Sequence, residues 1–333
     1  MIPIANQPIL FYGLQQLARA GIREVGIVLG PIQEGIREGI GEGANFGLRV
    51  TYIEQGPPRG LAHAVLCAGE FLGNDPFVMY LGDNLLEHGL DSFLDLYRSR
   101  GADAVLGVAS VADPHRYGIV ELDGSSIRSI EEKPRNPKSN LALVGVYVFS
   151  PKIHEIIARL KPSLRGELEI TDAIVDLRAA GAVVVAHQIF GWWKDTGAPD
   201  DLLEANDLVL NSLPPTHFSR EGSVVDGASL QGLVAVGRNS VIEPGATVEG
   251  PVVLGSGVRL TRGTRVGPGT SIGNQVELRG CSVRRSIVLE GARILGPVRI
   301  IDSLIGRNVI IQSLGSSERE ISVMVGDASR IRL

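Results

Sequence analysis

Residues Val224–Leu278 read VVDGASLQGLVAVGRNSVIEPGATVEGPVVLGSGVRLTRGTRVGPGTSIGNQVEL. Every sixth residue from the first gives Val224, Leu230, Val236, Ile242, Val248, Leu254, Leu260, Val266, Ile272 and Leu278, ten aliphatic side chains without a break. Four residues after each of the first nine anchors stand Ala228, Val234, Ser240, Ala246, Val252, Val258, Thr264, Thr270 and Val276, all small or β-branched. A helix repeats every 3.6 residues and an amphipathic strand every 2, so neither produces a strict six. A parallel β-helix of triangular section does, each six-residue unit forming one short flat side with its aliphatic anchor inward. Gly237, Gly255, Gly267 and Gly273 fall where corners are needed. The register slips near Arg284-Arg285 and is expected to resume through Val283, Leu289, Leu295 and Ile301, then at Ile305 and Ile311. After the polar break Ser313–Arg319, the apolar Ile321–Val325 is expected to cover or extend the last coil.

Composition changes where this repeat begins. Ser219–Leu333 holds 14 Arg, no Lys and 10 Asp+Glu, whereas the preceding residues carry 18 Lys+Arg against 27 Asp+Glu. No histidine lies beyond His217, and Pro214-Pro215 opposes helix continuation at the junction. The boundary is therefore placed between residues 217 and 218, giving domains 1–217 and 218–333. A chain of 333 residues is long enough for two cores, and 44% hydrophobic with 21% charged residues is a globular balance. A net charge of −5 argues against nucleic acid as a partner. The two cysteines, Cys67 and Cys281, cannot build a disulfide framework, which points to a reducing cytoplasm. Apolar runs such as Leu141–Phe149 are far shorter than the roughly 20 residues a membrane span needs, and no secretory leader is visible. The histidine-free solenoid lacks the usual base for acyl transfer, so a structural or oligomerisation role is expected for it.

The first 217 residues alternate strands and helices. Helices are expected at Pro8–Ala20 (with Asn6 as N-cap), Gln33–Glu42, Leu61–Phe71, Leu90–Ser99, Pro151–Leu160 and Glu169–Ala180. Strands are expected at Val25–Leu29, Arg49–Ile53, Phe77–Leu81, Ala104–Ala109, Gly118–Leu122, Leu143–Phe149 and Val183–Gln188. Such alternation predicts a Rossmann-like α/β domain with a mixed, mostly parallel sheet, whose ligands sit beyond the strands' carboxyl ends.

Four strand-end loops carry candidate chemistry. Glu54-Gln55-Gly56-Pro57-Pro58-Arg59-Gly60-Leu61 lets backbone approach a flat base or a phosphate, with Gln55 able to donate and accept in the plane of a base. Taken alone it also reads as an ordinary Pro-Gly turn. Gly82-Asp83-Asn84 places a carboxylate at a strand end, either as an oxygen ligand for a hard cation or as a turn-forming cap. Tyr117-Gly118 and Glu131-Glu132-Lys133-Pro134 offer one cation for a phosphate and one carboxylate for sugar hydroxyls; a solvated charge cluster is the plainer alternative. Trp192-Trp193-Lys194-Asp195-Thr196-Gly197 supplies a second strand-end carboxylate, which could share a metal with Asp83.

The ordered set Gln55…Gly60-Leu61-Ala62, Gly82-Asp83-Asn84, Tyr117-Gly118, Glu132-Lys133-Pro134, Gly166-Glu167-Leu168-Glu169-Ile170-Thr171-Asp172 and Trp193-Lys194-Asp195-Thr196-Gly197 resembles the sugar-1-phosphate nucleotidylyltransferases. It is most similar to the long-type glucose-1-phosphate thymidylyltransferases, in which a left-handed β-helix follows the catalytic domain. The ending Val325–Leu333 is similar to that type too. The resemblance covers essentially the whole chain. It implies transfer of a nucleotidyl group from dTTP to glucose 1-phosphate with release of pyrophosphate; the flat, Arg-rich sides of the β-helix are separately expected to bring subunits together as a homo-oligomer. By the same resemblance Gln55, Pro58, Gly60, Leu61 and Asp83 bind the nucleotide, and Asp83 and Asp195 hold Mg²⁺. Gly118, Glu132, Lys133, Val144, Gly145 and Arg165 bind the sugar phosphate, with Lys133 and Arg165 as the catalytic cations. Two departures stand out. Met1-Ile2-Pro3-Ile4-Ala5-Asn6 is similar to the stretch just after the family's Gly-rich, Arg-containing triphosphate loop, so that loop and the first strand are expected to be missing from this sequence. His63 stands where the family usually has Gln beside the base. UTP, another hexose 1-phosphate, or an inactive or regulatory subunit remain as alternatives.

Overall fold

The computed structural model describes residues 2–31, 34–124, 126–224, 226–315 and 318–333. Gln33, expected to open the second helix, and Ser316 and Ser317 of the polar break lie outside the described residues. By compactness the chain forms two units, Leu10–Trp193 and a second in which Ile2–Ile9 joins Lys194–Leu333. The composition break at 217/218 thus lies inside the second unit.

The elements ahead of the solenoid begin with β1 (Pro3–Ile4), β2 (Gln7–Pro8), α1 (Ile9–Arg19), β3 (Glu24–Leu29), α2 (Glu34–Ile40) and β4 (Arg49–Glu54). Next come α3 (Leu61–Cys67), α4 (Gly69–Leu72), β5 (Phe77–Tyr80), β6 (Asn84–Leu86), α5 (Asp91–Arg100) and β7 (Ala104–Ser110). They end with β8 (Gly118–Asp123), β9 (Ser126–Glu132), β10 (Leu141–Phe149), α6 (Lys152–Ala158), α7 (Ile170–Ala179), β11 (Val184–Gln188), β12 (Trp193–Asp195) and α8 (Pro199–Ser212). The expected strands and helices are present within a few residues of their expected bounds, except that Leu61–Phe71 is two helices meeting at Ala68.

In the first unit β10 is the central strand. Its sequence LALVGVYVF is apolar throughout because both its faces are covered. Leu143, Tyr147 and Phe149 enter one core with Leu106, Ile153 and Ile174, while Val144, Val146 and Val148 enter the other with Leu14, Phe93 and Val105. β10 runs antiparallel to β5, β7 and β8, β11 is parallel to β7, and β9 is antiparallel to β8. The sheet is therefore mixed: β5, β7, β8 and β11 share one direction, and β9 and β10 oppose it. From β8 to β10 no helix intervenes, so the chain has no crossover that could return the next strand in parallel. β3 and β4 form a separate parallel pair.

The second unit is built on a parallel β-helix whose sides are three sheets of seven, six and six short strands, of the left-handed kind. Ile242, Leu260, Leu278, Ile294 and Ile311 stack inward along one side, fully buried. Val224, counted as the first anchor, is 40% exposed and lies outside that closed core. A second correction concerns the register after the slip. Val288, Ile294 and Ile300 face inward rather than Leu289, Leu295 and Ile301, because Leu278 is followed by Val283 and Val288 at five-residue spacing before six returns. Ile321, Val325 and Ile331 pair with Ile300, Ile305 and Ile311, so the tail extends the solenoid by one more coil.

Asn6 is not a helix cap. Ala5 and Asn6, both with left-handed backbone (φ 48° and 62°), form the two-residue turn of the β1–β2 hairpin. The Asn6 amide donates to the Ile272 carbonyl of the solenoid at 2.7 Å. Asn206 of α8, 1% exposed, accepts from the Ala5 N–H (2.9 Å) and the Ser271 hydroxyl (2.6 Å) and donates to the Gly269 carbonyl (2.9 Å). One buried amide so ties hairpin, helix and coil into a single unit.

Candidate active site

The loop after β4 reaches α3 through Gly60, whose φ of 99° only glycine adopts readily. A Cβ there would collide with the backbone of Leu168. This closeness lets the Leu168 N–H donate to the Arg59 carbonyl (2.7 Å) and the Ala62 N–H donate to the Leu168 carbonyl (3.0 Å). The Gln55 loop and the loop carrying Arg165 are thereby fastened together. The Gln55 amide nitrogen donates to the Gly60 carbonyl at 3.1 Å and lies 3.3 Å from His63 Nδ1. Pro58 is exposed and Leu61 half-buried at the same turn.

Arg165 is ringed by carboxylates. Its guanidinium lies 3.5 Å from Glu132, 3.4 Å from Glu167 and 3.5 Å from Glu169. Glu132 ends β9 opposite Gly118, where a Cβ on Gly118 would press on the Glu132 carboxylate and the Thr171 methyl. Burial, and then the charge of Glu169, push the Glu132 carboxyl above its usual range; Lys133, the Thr171 hydroxyl and Arg165 offset part of this. Lys133 is exposed with a left-handed φ of 42°, and its N–H donates to the Tyr117 carbonyl at 3.0 Å. That bend turns a cation out beside the Glu132 carboxylate.

Gly145 marks a bulge in β10, with φ 66°. A side chain there would strike Leu81 and the Asn84 amide, so the Gly82-Asp83-Asn84 loop lies against it. Asn84, 3% exposed, donates to the Asp83 carboxylate at 2.8 Å and accepts from the Trp193 indole N–H at 2.6 Å. Trp193 meets Tyr117 edge-on at 5.5 Å. Val144 is fully buried with its side chain in the core, so what it can offer a ligand is backbone.

Within the first unit, then, Gln55 contacts Gly60, Arg165 and Lys133 adjoin Glu132 opposite Gly118, and Gly145 meets Asp83 through Asn84. Asp195 falls in the second unit, where its carboxylate accepts from the Gly197 N–H at 3.1 Å. Next to it Lys194 is held by Asp201 (2.9 Å) and Glu204 (2.6 Å). Among the described residues no cluster of three or more His, Cys, Asp or Glu forms a metal site by itself. Sequence reasoning gave no role to Asn84, Glu169 or Thr171. Asn84 and Thr171 stand inside quoted motifs as small polar residues, and only their burial distinguishes them. No helix among the described residues is long and apolar enough to cross a membrane.

Comparison with known proteins agrees with this geometry. Residues 1–212 match the nucleotidyl transferase family. A glucose-1-phosphate thymidylyltransferase of Streptomyces griseus is 44% identical across all of this chain and 93% of its own length. That of Streptomyces antibioticus is 43% identical over the same shares. The low-salt glycan biosynthesis nucleotidyltransferase Agl11 of Haloferax volcanii is 41% identical, again across the whole chain and 93% of the relative. Among solved structures, a UDP-glucose pyrophosphorylase complexed with UDP-glucose is similar at a TM-score of 0.56 and 26% identity, over 64% of this chain and 90% of that one. The match to residues 1–212 and the full-length relatives lead to one conclusion: the chain belongs to the nucleotidyl transferase family.

Proposed function

We propose that the protein transfers a thymidylyl group from dTTP to glucose 1-phosphate, giving dTDP-glucose and pyrophosphate in the cytoplasm. The observation that carries this is the full-length similarity, at 43–44% identity, to two glucose-1-phosphate thymidylyltransferases. Similarity to a UDP-glucose pyrophosphorylase is weaker, at 26%, which favours dTTP over UTP.

The site chemistry suits phosphoryl attack on phosphorus. A sugar phosphate oxygen attacks the α-phosphorus in line and pyrophosphate departs, so two anions must be brought together without a side-chain nucleophile. Arg165 and Lys133 neutralise the incoming phosphate, while Glu132 and the backbone at Gly118 and Gly145 receive the sugar hydroxyls. Gly60 lets the base lie against backbone, and Gln55 meets its edge. Asp83 and Asp195 are each hard oxygen donors oriented by a hydrogen bond, the donor chemistry that suits Mg²⁺ among phosphate oxygens. Bound there, the ion would supply charge neutralisation at the triphosphate. The solenoid unit supports a homo-oligomer: a groove of about 610 Å³ built wholly from this unit sets Arg265, Arg284 and Arg285 beside Asp207 and Glu249, a mixed-charge surface suited to pairing with a second copy.

The test is pyrophosphate release with dTTP, UTP, dCTP or ATP and glucose 1-phosphate, run on this chain and on a version preceded by the Gly-rich segment the resemblance calls for. The highest kcat/KM is expected with dTTP. Turnover with another nucleotide alone, or with none in both forms, would overturn the proposal.

A further inference from the structure

Gln55 has more around it than a base-reading residue needs. Its side-chain nitrogen lies 3.1 Å from the Gly60 carbonyl, which can only accept, so the atom there must be the NH₂ group rather than the amide oxygen. The same nitrogen lies 3.3 Å from His63 Nδ1. An NH₂ group only donates, so Nδ1 must be the accepting nitrogen, and the neutral ring then carries its proton on Nε2. One helical turn along α3, Cys67 Sγ lies 3.7 Å from that Nε2 and 4.0 Å from the Gln55 backbone carbonyl. Both N–H bonds of the Gln55 amide are thus engaged within the protein, whereas its Oε1 makes no hydrogen bond among the described residues.

We propose that His63 is a positioning residue that locks the Gln55 amide with its oxygen outward, so that the site takes a base offering a ring N–H and refuses one offering a bare ring nitrogen. This rests on the reading of Gln55 as the residue that meets the base. Thymine and uracil carry a hydrogen at N3 and can donate to Oε1. Cytosine has a lone pair at N3, and two acceptors facing each other lose a hydrogen bond and leave both unpaired. Without an acceptor at position 63 the amide loses one of the two partners that fix it, so turning over to present its NH₂ group to the cytosine edge is opposed by the Gly60 carbonyl alone. His63 therefore acts on base choice without touching the reacting phosphates.

Two measurements on the full chain test this. ¹⁵N-histidine NMR of the unliganded protein should show a neutral ring protonated at Nε2 whose signals vanish in His63→Gln. Equilibrium binding should show wild type preferring dTTP to dCTP, His63→Leu losing that preference by about tenfold, and His63→Gln keeping it, since its Oε1 can accept the same N–H. A ring protonated at Nδ1, or a His63→Leu variant with the wild-type dTTP:dCTP ratio, overturns the role of His63 while leaving dTTP as substrate. If the wild-type chain preceded by the Gly-rich segment, in which both affinities are measured, binds neither nucleotide with the Nε2 proton in place, Gln55 as a base reader is overturned and the inference with it.

Discussion

Replacing Gly60 by Ala should separate the two loops that make the candidate site. The position has φ 99° and ψ 171°, a region populated almost solely by glycine, and holding an alanine there costs about 1–3 kcal/mol. The new methyl would also press into backbone, the carbonyl, nitrogen and carbonyl carbon of Leu168, none of which can rotate away as a side-chain tip could. Relief requires parting the strands of contact, with loss of the Leu168–Arg59 and Ala62–Leu168 hydrogen bonds, worth about 1 kcal/mol each. The sum is about 3–5 kcal/mol, but opening the loop is cheaper than unfolding the unit, so only part of it reaches global stability. Differential scanning fluorimetry should show Tm falling by about 3–8 °C. Binding of dTTP should weaken by about tenfold or more, because the base loop and the Arg165 loop no longer hold their spacing. A Gly60→Ala protein with wild-type Tm and wild-type dTTP affinity would refute the close approach and its role.

Other substitutions separate chemistry from scaffolding. Asp195→Asn removes a hard anionic donor with little change in volume, so pyrophosphate release should fall by about a hundredfold or more at unchanged Tm; near-normal turnover would exclude Asp195 as a metal ligand. Glu132→Gln should raise KM for glucose 1-phosphate while Tm holds or rises, since burial and Glu169 make the ionised carboxylate unfavourable in the fold. With its folded pKa raised, that penalty disappears as pH falls through the folded value, so the Tm gap between variant and wild type should narrow in acid; a gap that widens contradicts this. Asp103 is the opposite case. Burial alone would raise its carboxyl, but hydrogen bonds from Lys152, Val183 and Ser150 together hold it below the usual range, so its stabilisation is present at neutral pH and lost as pH falls through the folded value. Asp103→Asn should cost about 1–3 kcal/mol by denaturant unfolding at pH 7 and progressively less below about pH 4. Asn206→Leu should strand the Ala5 N–H, the Ser271 hydroxyl and the Gly269 carbonyl, costing about 2–4 kcal/mol and speeding hydrogen exchange at Ala5; unchanged exchange would show that the hairpin does not depend on it.

The ring of carboxylates around Arg165 has an energetic meaning on the proposed reading. Glu132, Glu167 and Glu169 hold the guanidinium in place, yet two of its nearest contacts are at 3.5 Å rather than at the optimum for charged hydrogen bonds. Its side chain is 42% exposed, so each pair contributes little to stability. An arginine loosely shared among three acids can exchange one of them for a phosphate dianion at small net loss, whereas a tight bidentate pair would first have to be broken. The residue is thus restrained in position without being occupied.

How much of this was legible in advance depended on whether the signal was periodic. The solenoid could be read because inward residues recur every sixth position through Leu278, and the structure buries Ile242 through Leu278 as that count requires. The count failed where it had no local marker. Nothing in Ser282–Leu289 distinguishes a five-residue side from a six-residue one, because Val288 and Leu289 are equally apolar neighbours and stacking on Ile272 decides between them. The β1–β2 hairpin was missed for a related reason: Ala5 and Asn6 form its turn while tied to residues more than two hundred positions away, and Asn6 before an apolar run reads locally as a cap. β10 shows the converse. Its unbroken apolar run marks a strand, but the resemblance alone singled out Gly145 within it, and only the approach of Leu81 and Asn84 shows why no side chain fits there. The site motifs were visible as loops because glycine, proline and strand-end acids mark turns on their own. The residues that orient them, Asn84 to Trp193, Thr171 beside Glu132 and His63 to Gln55, act across elements, where one-dimensional order carries no distance.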